Sequence, residues 1–194
     1  MADEGFALSD IYSTTAESVG KKGEKTDVHI KIMLNTGCAI KKNISVKASG
    51  QEKVSLHQAK ASDYFSVLKI TDMTVRVALD KFQMYGNTNG MSSAEEKALK
   101  DYFAQPIKYQ EFLDWVFKGP SGKVDYLLLH SYERDTQKVC CHTKIYHIND
   151  YMKQVKKAVK ADSGFGTGLA WTYKSVKRDG KKRNEIQLKV PLIF

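Results

Sequence analysis

Two apolar alternations near the start of the chain predict a β-hairpin. Residues 27–34 alternate polar side chains with Val28, Ile30, Ile32 and Leu34, and residues 38–48 repeat the alternation. A period of two is typical of a strand with one buried face, and the segment LNTG between the two runs is rich in turn-forming residues. We therefore expect two antiparallel strands joined by a short turn.

Apolar residues at helical spacing predict helices on both sides of this hairpin. Residues 9–19 combine Ser9, a plausible cap, with apolar side chains at near-helical intervals, which predicts a helix. Residues from about 56 to 119 are mostly helical in pattern. Within them, a capping-box spacing at Ser92 and Glu95, or one residue later, predicts a helix start. We expect a helical layer at about 56–119.

The remainder of the chain predicts two strands, a helix and a terminal hairpin. Residues 124–132 and 138–148 have strand patterns, residues 149–160 a helical one, and residues 168–194 form a basic β-hairpin turning at Asp179-Gly180. This order favours one α/β (α+β) domain over residues 1–194, with a central mixed sheet flanked by helices.

Composition and charge indicate where the protein acts and what kind of partner it binds. The chain has 194 residues and no apolar run long enough to span a membrane, and its acidic N-terminus lacks a secretory signal. We therefore expect no membrane association and a cytoplasmic location. The net charge of +9 favours a polyanionic partner, although a solvated lysine-rich surface is the open alternative.

The predicted hairpin carries the residues with the clearest chemistry. Ser45 and Lys47 share one face of the second strand, and pairing brings Asp27 beside them. A carboxylate, a second oxygen ligand and a lysine are what metal-dependent phosphodiester hydrolysis needs, and Glu17 on the predicted helix offers another oxygen. Alternatively, Asp27 caps a turn and Lys47 is a solvated lysine on an edge strand.

These residues resemble the PD-(D/E)XK nuclease superfamily. The segments TDV and ISVKAS, with a glutamate upstream, are similar to its signature, which implies a restriction-endonuclease-like core, Asp27 as the metal-binding aspartate, Lys47 as the catalytic lysine, Ser45 as the variable ligand and Glu17 as the helix glutamate. VGKKGEKTDV, VSLHQ and the C-terminal GFGTGLAWTYKSVKRDGKKRNEIQLKVPL further resemble small type II restriction endonucleases of the MspI-like group.

Two positions depart from the superfamily signature. Thr26 stands where the signature has proline, and Ser45 stands where it usually has glutamate or aspartate. The second departure matters more, because a hydroxyl is a poorer ligand than a carboxylate for a hard cation. It leaves the number of metal ions open.

The resemblance implies an Mg²⁺-dependent type II restriction endonuclease that cuts double-stranded DNA at a short, palindromic, G/C-rich site. Both a monomer and a homodimer are compatible with the sequence. The rivals are a toxin, repair or nicking nuclease with the same fold, and a non-catalytic DNA- or RNA-binding protein in which Ser45 marks an inactive site. A basic structural or assembly protein is the third alternative.

Candidate DNA contacts cluster in the terminal hairpin. Its basic residues suit phosphate contacts, and its arginines also suit base edges. Gln58, after the lysine strand, is a further candidate for reading a base. The hairpin residues are Lys174, Lys177, Arg178, Lys181, Lys182 and Arg183.

Overall fold

The computed structural model describes residues 5–20, 24–50, 52–134, 139–157, 164–173 and 185–191. The strands in these ranges are β1 (Ile11–Ser18), β2 (Val28–Leu34), β3 (Ala39–Ser49), β4 (Lys53–Ala59), β5 (Tyr126–Arg134), β6 (Val139–His147), β7 (Ala170–Tyr173) and β8 (Ile186–Pro191). The helices are α1 (Ala61–Val67), α2 (Met73–Tyr85), α3 (Ser93–Ala104), α4 (Pro106–Lys118) and α5 (Ile148–Lys157).

The strands form two sheets. The larger sheet has the order β1-β2-β3-β5-β6 and is mixed, because β3 and β5 run parallel while its other neighbours are antiparallel. This confirms the predicted mixed sheet flanked by helices. The smaller sheet has the order β4-β8-β7 and is antiparallel, and the sequence did not predict it as a separate sheet.

The predicted helix at residues 9–19 is wrong, because this segment is strand β1. It pairs antiparallel with β2 from Ile11 opposite Leu34 to Ser18 opposite Val28. Its serine, threonine, tyrosine and isoleucine residues suit an extended backbone, and the apolar spacing that suggested a helix is irregular. Main-chain pairing with β2 therefore outweighs the weak helical pattern.

The helical layer begins later than predicted but ends where expected. Residues 53–59 are strand β4, and α1 starts only at Ala61. The capping box at the start of α3 is confirmed, since Glu95 N–H donates to the Ser92 hydroxyl and Ser92 N–H donates to the Glu95 carboxylate. Gly119 ends α4 with a positive φ, as its position in the sequence indicated.

An aromatic cluster joins the smaller sheet to the helices. Trp171 on β7 packs against the rings of Tyr64, Phe82, Phe103, Phe112 and Phe165 at centroid distances of 5.1–5.9 Å. Its indole N–H also donates to the Thr167 hydroxyl at 2.8 Å. The cluster fixes β7 and β8 against α2, α3 and α4.

Two strands lie in the segment predicted as a terminal hairpin. β7 and β8 pair antiparallel, with Thr172 opposite Gln187. The predicted turn at Asp179-Gly180 lies outside the described residues. Within the described part of the chain, none of the helices combines the length and hydropathy needed to cross a lipid bilayer.

Candidate active site

The three hairpin residues singled out in the sequence meet at one carboxylate oxygen. Asp27 Oδ2 accepts hydrogen bonds from the Val46 backbone N–H at 2.7 Å, the Ser45 hydroxyl at 3.2 Å and the Lys47 ammonium at 3.3 Å. The Lys47 ammonium also donates to the Val46 carbonyl at 3.0 Å. The predicted grouping of Asp27, Ser45 and Lys47 is therefore present in the structure.

Strand register explains why these side chains converge. Val28 pairs with Ile44, and the Asp27 N–H donates to the Ile44 carbonyl at 2.8 Å, so Asp27 lies opposite Ser45. Ser45 and Lys47 follow on one face of β3, next to the buried side chains of β5. The cluster thus lies on β3 between β2 and β5, whose Leu127 and Leu129 are buried in the core.

Exposure differs among the three residues in a way that suits a reactive centre. Ser45 is 1% exposed, the Lys47 side chain 17% and the Asp27 side chain 38%. The Lys47 side chain is therefore largely buried, while the Asp27 carboxylate is partly exposed to solvent. The Asp27 carboxylate is therefore more accessible to a ligand from solvent than the Lys47 ammonium.

Glu17 does not join this cluster as predicted. It lies on strand β1 rather than on a helix, its side chain is exposed, and it pairs with His29. The register places Val19 opposite Asp27, with the Val19 N–H donating to the Asp27 carbonyl at 3.0 Å. Glu17 thus lies two residues along β1 from Val19, the residue opposite Asp27.

Lys25 is a second lysine at the site, and the sequence reasoning missed it. Its ammonium donates to the Leu56 carbonyl of β4 at 2.8 Å. Burial lowers the pKa of Lys25 to about 7; the charge of Lys47 acts in the same direction, and the Asp27 carboxylate opposes both. A Cβ atom at Gly119 would lie 2.7 Å from Lys25 Cγ, so only glycine allows this close approach.

Replacing Lys25 with methionine should change how stability depends on pH. Between pH 7 and 10 the unfolded chain keeps Lys25 protonated while the native protein releases the proton, so native stability rises with pH. In metal-free buffer, we expect this rise to be about 3 kcal/mol smaller in Lys25→Met. Urea unfolding at pH 7, 8.5 and 10 measures it.

The exposed lysine Lys69 provides the matched control for that experiment. Lys69→Met should give a pH profile parallel to that of the wild type, because the substitution removes an exposed side chain and leaves Lys25 in place. Parallel profiles for Lys25→Met and the wild type would contradict the assignment of Lys25 as a buried lysine.

His57 lies behind the site and is a core residue rather than a proton donor. Its ring packs edge-on against Trp115, with the centroids 4.4 Å apart. Burial, with a smaller contribution from the Lys25 charge, lowers the pKa of His57 to about 3. The imidazole is therefore neutral at physiological pH.

Gln58 belongs to a polar face on the smaller sheet. A register shift between Ser55 and His57 forms a bulge in β4, so Ser55 pairs with Lys189 and Gln58 pairs with Gln187 on the same face. The amides of Gln58 and Gln187 donate to the Ser55 hydroxyl at 3.2 and 2.9 Å. We call Ser55, Gln58, Thr172, Gln187 and Lys189 the polar face.

The sequence contained a signal for part of this face. Ile186, Leu188 and Val190 are buried, and Gln187 and Lys189 alternate with them, which is the pattern of a strand with one polar side. The basic residues predicted to contact DNA lie outside the described residues: Lys174, Lys177, Arg178, Lys181, Lys182 and Arg183.

The donor set at Asp27 fits a hard divalent cation that keeps part of its hydration. Mg²⁺ is commonly bound through one or two carboxylates, with water and substrate phosphate completing its shell. Asp27 supplies a partly exposed carboxylate and Ser45 a hydroxyl oxygen. Among the described residues, no group of three or more His, Cys, Asp or Glu side chains could hold a metal ion. The protein would therefore supply few of the ligands of an ion bound at Asp27.

Comparison with known proteins identifies the family. The profile described as "Restriction endonuclease MspI" matches residues 13–190. The type II restriction enzyme BsuFI of Bacillus subtilis is 29% identical over 165 residues, which cover 81% of this chain and 38% of BsuFI. The chain therefore spans well under half the length of that curated relative.

A solved structure supports the same assignment at the level of the fold. The crystal structure of restriction endonuclease MspI in complex with its cognate DNA matches with a TM-score of 0.76 and 19% identity. The match covers 96% of this chain and 73% of that one. With the family profile extending over most of the chain and the fold in agreement, this chain belongs to the MspI restriction endonuclease family.

Proposed function

We propose that this protein is a metal-dependent type II restriction endonuclease that hydrolyses phosphodiester bonds in double-stranded DNA. The observation that carries the proposal is the contact of Ser45 and Lys47 with the single carboxylate of Asp27. The family supports it, since its curated relative BsuFI is a type II restriction enzyme.

In this proposal, Asp27 and Ser45 hold Mg²⁺, and Glu17 reaches it only through water because of its displaced position on β1. When bound, the ion polarises the attacked phosphate and lowers the pKa of a water molecule. Of these two direct ligands, Asp27 carries a negative charge and the Ser45 hydroxyl is neutral. Affinity for the metal should accordingly depend strongly on Asp27.

Lys47 has two tasks that its position supports. Its ammonium lies 3.3 Å from the Asp27 carboxylate and 3.0 Å from the Val46 carbonyl, which restrict its orientation. From there it orients the attacking water by hydrogen bonding and offsets the negative charge that develops on the phosphate. Because Lys47 is largely buried, its charge is less screened than that of a surface lysine.

DNA binding is supported by charge and by the polar face. A net charge of +9 favours a polyanion. The amides of Gln58 and Gln187 have the donor and acceptor pairs that read base edges, and the basic hairpin residues suit phosphates. We propose a short palindromic G/C-rich site, cut by a monomer or a homodimer.

A non-catalytic DNA-binding relative is the second candidate. The observation that favours it is Ser45, which replaces the usual acidic ligand and leaves Asp27 as the only carboxylate in the three-residue cluster. In that case the protein binds DNA with the same salt dependence but does not cut it in any divalent metal.

Digestion of long linear DNA separates these candidates. We expect discrete fragments in Mg²⁺ at low salt, none in EDTA, and the same terminal sequence at every newly cut end. A smear would indicate a non-specific toxin or repair nuclease. Intact DNA at high protein concentration, with binding retained in a gel shift, would contradict catalysis and favour the binding protein.

A further inference from the structure

A polar cavity of about 450 Å³ lies beside the candidate active site. It is formed by Val19 after β1, by Glu24 and Thr26 before β2, by two residues after α4 and by one face of β2 and β3. Its polar and charged lining includes Glu24, His29, Lys41, Asn43, Ser121 and Lys123. The function proposed above uses none of these side chains.

The cavity lies along the line of the catalytic residues. His29 pairs with Asn43, and this pair is the next one along the same face from Asp27 and Ser45. One step of two residues along a strand is about 6.7 Å, so Asn43 lies about one step and Lys41 about two steps from Ser45. A DNA strand bound at Asp27 therefore reaches the cavity within a few nucleotides.

The charges around the cavity favour an anion. Lys41 pairs directly with Lys31 across β2 and β3, and two like charges in this position repel each other. Within the described ranges, no carboxylate lies within ion-pair distance of Lys31, Lys41 or Lys123. A bound anion would relieve this repulsion.

The neutral groups of the lining supply hydrogen bonds. Ser121 and Asn43 carry a hydroxyl and an amide, which donate to oxygen ligands. His29 Nδ1 is buried and has no hydrogen-bond partner among the described residues. Glu24 is the one carboxylate in the described lining, against two lysines, so the balance of charge stays positive.

We propose that this cavity binds a backbone phosphate of the DNA strand that is cut, a few nucleotides from the attacked bond. The inference rests on the proposed function, because it takes the position of the attacked phosphate from Asp27. The cavity then holds the strand in register, so that the attacked phosphate meets Asp27 and Lys47. Phosphate contacts of this kind position a strand without reading its sequence.

The first test is the salt dependence of DNA binding in EDTA, where cleavage is absent. Each phosphate contact contributes a slope of about −0.9 to the plot of log affinity against log salt concentration. In Lys41→Ala/Lys123→Ala, we expect a slope shallower by about 0.9. Between 50 and 200 mM salt, this makes the fall in affinity about 3.5-fold smaller than in the wild type.

The control variant is Lys97→Ala/Lys153→Ala, which changes the net charge by the same amount. Both of these lysines are exposed and already pair with carboxylates, Asp101 and Asp150. The control should keep the wild-type slope, and Lys41→Arg/Lys123→Arg should keep it as well. An unchanged slope in the alanine variant of the cavity would overturn the proposal.

The second test locates the phosphate. Once digestion has established the cut position, a neutral methylphosphonate replaces each nearby phosphate of the duplex in turn. We expect one position at which the wild type loses about tenfold in affinity, while Lys41→Ala/Lys123→Ala loses almost nothing further. Equal losses in both proteins at every position would contradict the assignment.

Inorganic phosphate distinguishes the source of the anion. If it competes with DNA for the cavity at matched ionic strength, but no methylphosphonate position has an effect, the cavity takes free phosphate and the proposal is wrong. The two proposals also fail separately. Cutting with an unchanged salt slope refutes only this inference, whereas a shallower slope in the alanine variant without any cutting refutes the nuclease function and leaves the phosphate contact of the cavity standing.

Discussion

Asp27→Asn is expected to lower the rate of DNA cleavage in Mg²⁺ by at least about 10³-fold. Asparagine keeps the shape of the side chain but removes the negative charge, and the amide is a poorer ligand for Mg²⁺ than the carboxylate. It also weakens the contact with the Lys47 ammonium, which lies 3.3 Å from Asp27 Oδ2. On the proposed mechanism, the variant therefore loses metal binding and the orientation of the lysine together.

Lys47→Met tests the second half of the site in the same way. Methionine retains much of the aliphatic bulk but has no charge to stabilise the transition state, and we expect a loss of about 10²–10³-fold. Single-turnover cleavage with excess protein measures both variants, because it reports the chemical step rather than product release.

The control for both variants is Asp101→Asn on α3. Asp101 is exposed and, within the described ranges, pairs with a lysine one helical turn away, so its loss should leave cleavage within about twofold of the wild type. DNA binding in EDTA should persist in all three proteins. Cleavage by Asp27→Asn within tenfold of the wild-type rate would remove Asp27 from the catalytic role.

Trp171→Ala is expected to lower the free energy of unfolding by about 3–5 kcal/mol. Trp171 contacts several aromatic rings from α1 to α4 and the loop before β7, and its indole N–H donates to the Thr167 hydroxyl. Truncation leaves a cavity at the junction of the smaller sheet with the helices. The midpoint of urea unfolding measures the loss.

Two further variants separate the contributions to this loss. Trp171→Phe keeps most of the ring packing but loses the hydrogen bond, which should cost about 1–3 kcal/mol and less than alanine does. Tyr12→Ala, at a side chain that is 78% exposed, should change stability by less than about 0.5 kcal/mol. Equal unfolding midpoints for Trp171→Ala and Tyr12→Ala would contradict the central place of Trp171.

The position of Trp171 also connects stability to DNA binding. β7 pairs with β8, which carries Gln187 and Lys189 of the polar face. Loss of the tryptophan should therefore loosen this face while the contacts of Asp27 with Ser45 and Lys47 persist. For that reason, Trp171→Ala should weaken DNA binding more than it slows the cleavage of bound DNA.

The sequence by itself determined the hairpin and the face that carries Asp27, Ser45 and Lys47. Alternating apolar residues set the orientation of each side chain along β2 and β3, and the short turn at Asn35 to Gly37 sets their register. These are properties of neighbouring residues, because a strand places every second side chain on one face. Asp27, Ser45 and Lys47 could therefore be grouped correctly without coordinates.

Only the tertiary structure decided what depends on distant segments. β1 is a strand because β2 offers it main-chain partners, which a weakly patterned segment cannot reveal. Glu17 therefore lies on a strand, two residues along from the position opposite Asp27. Lys25 becomes a buried lysine only when the Leu56 carbonyl and Gly119 approach it. The physical reason is that desolvation and cross-strand pairing arise from contacts between residues far apart in the chain, whereas periodicity records only the order of neighbours.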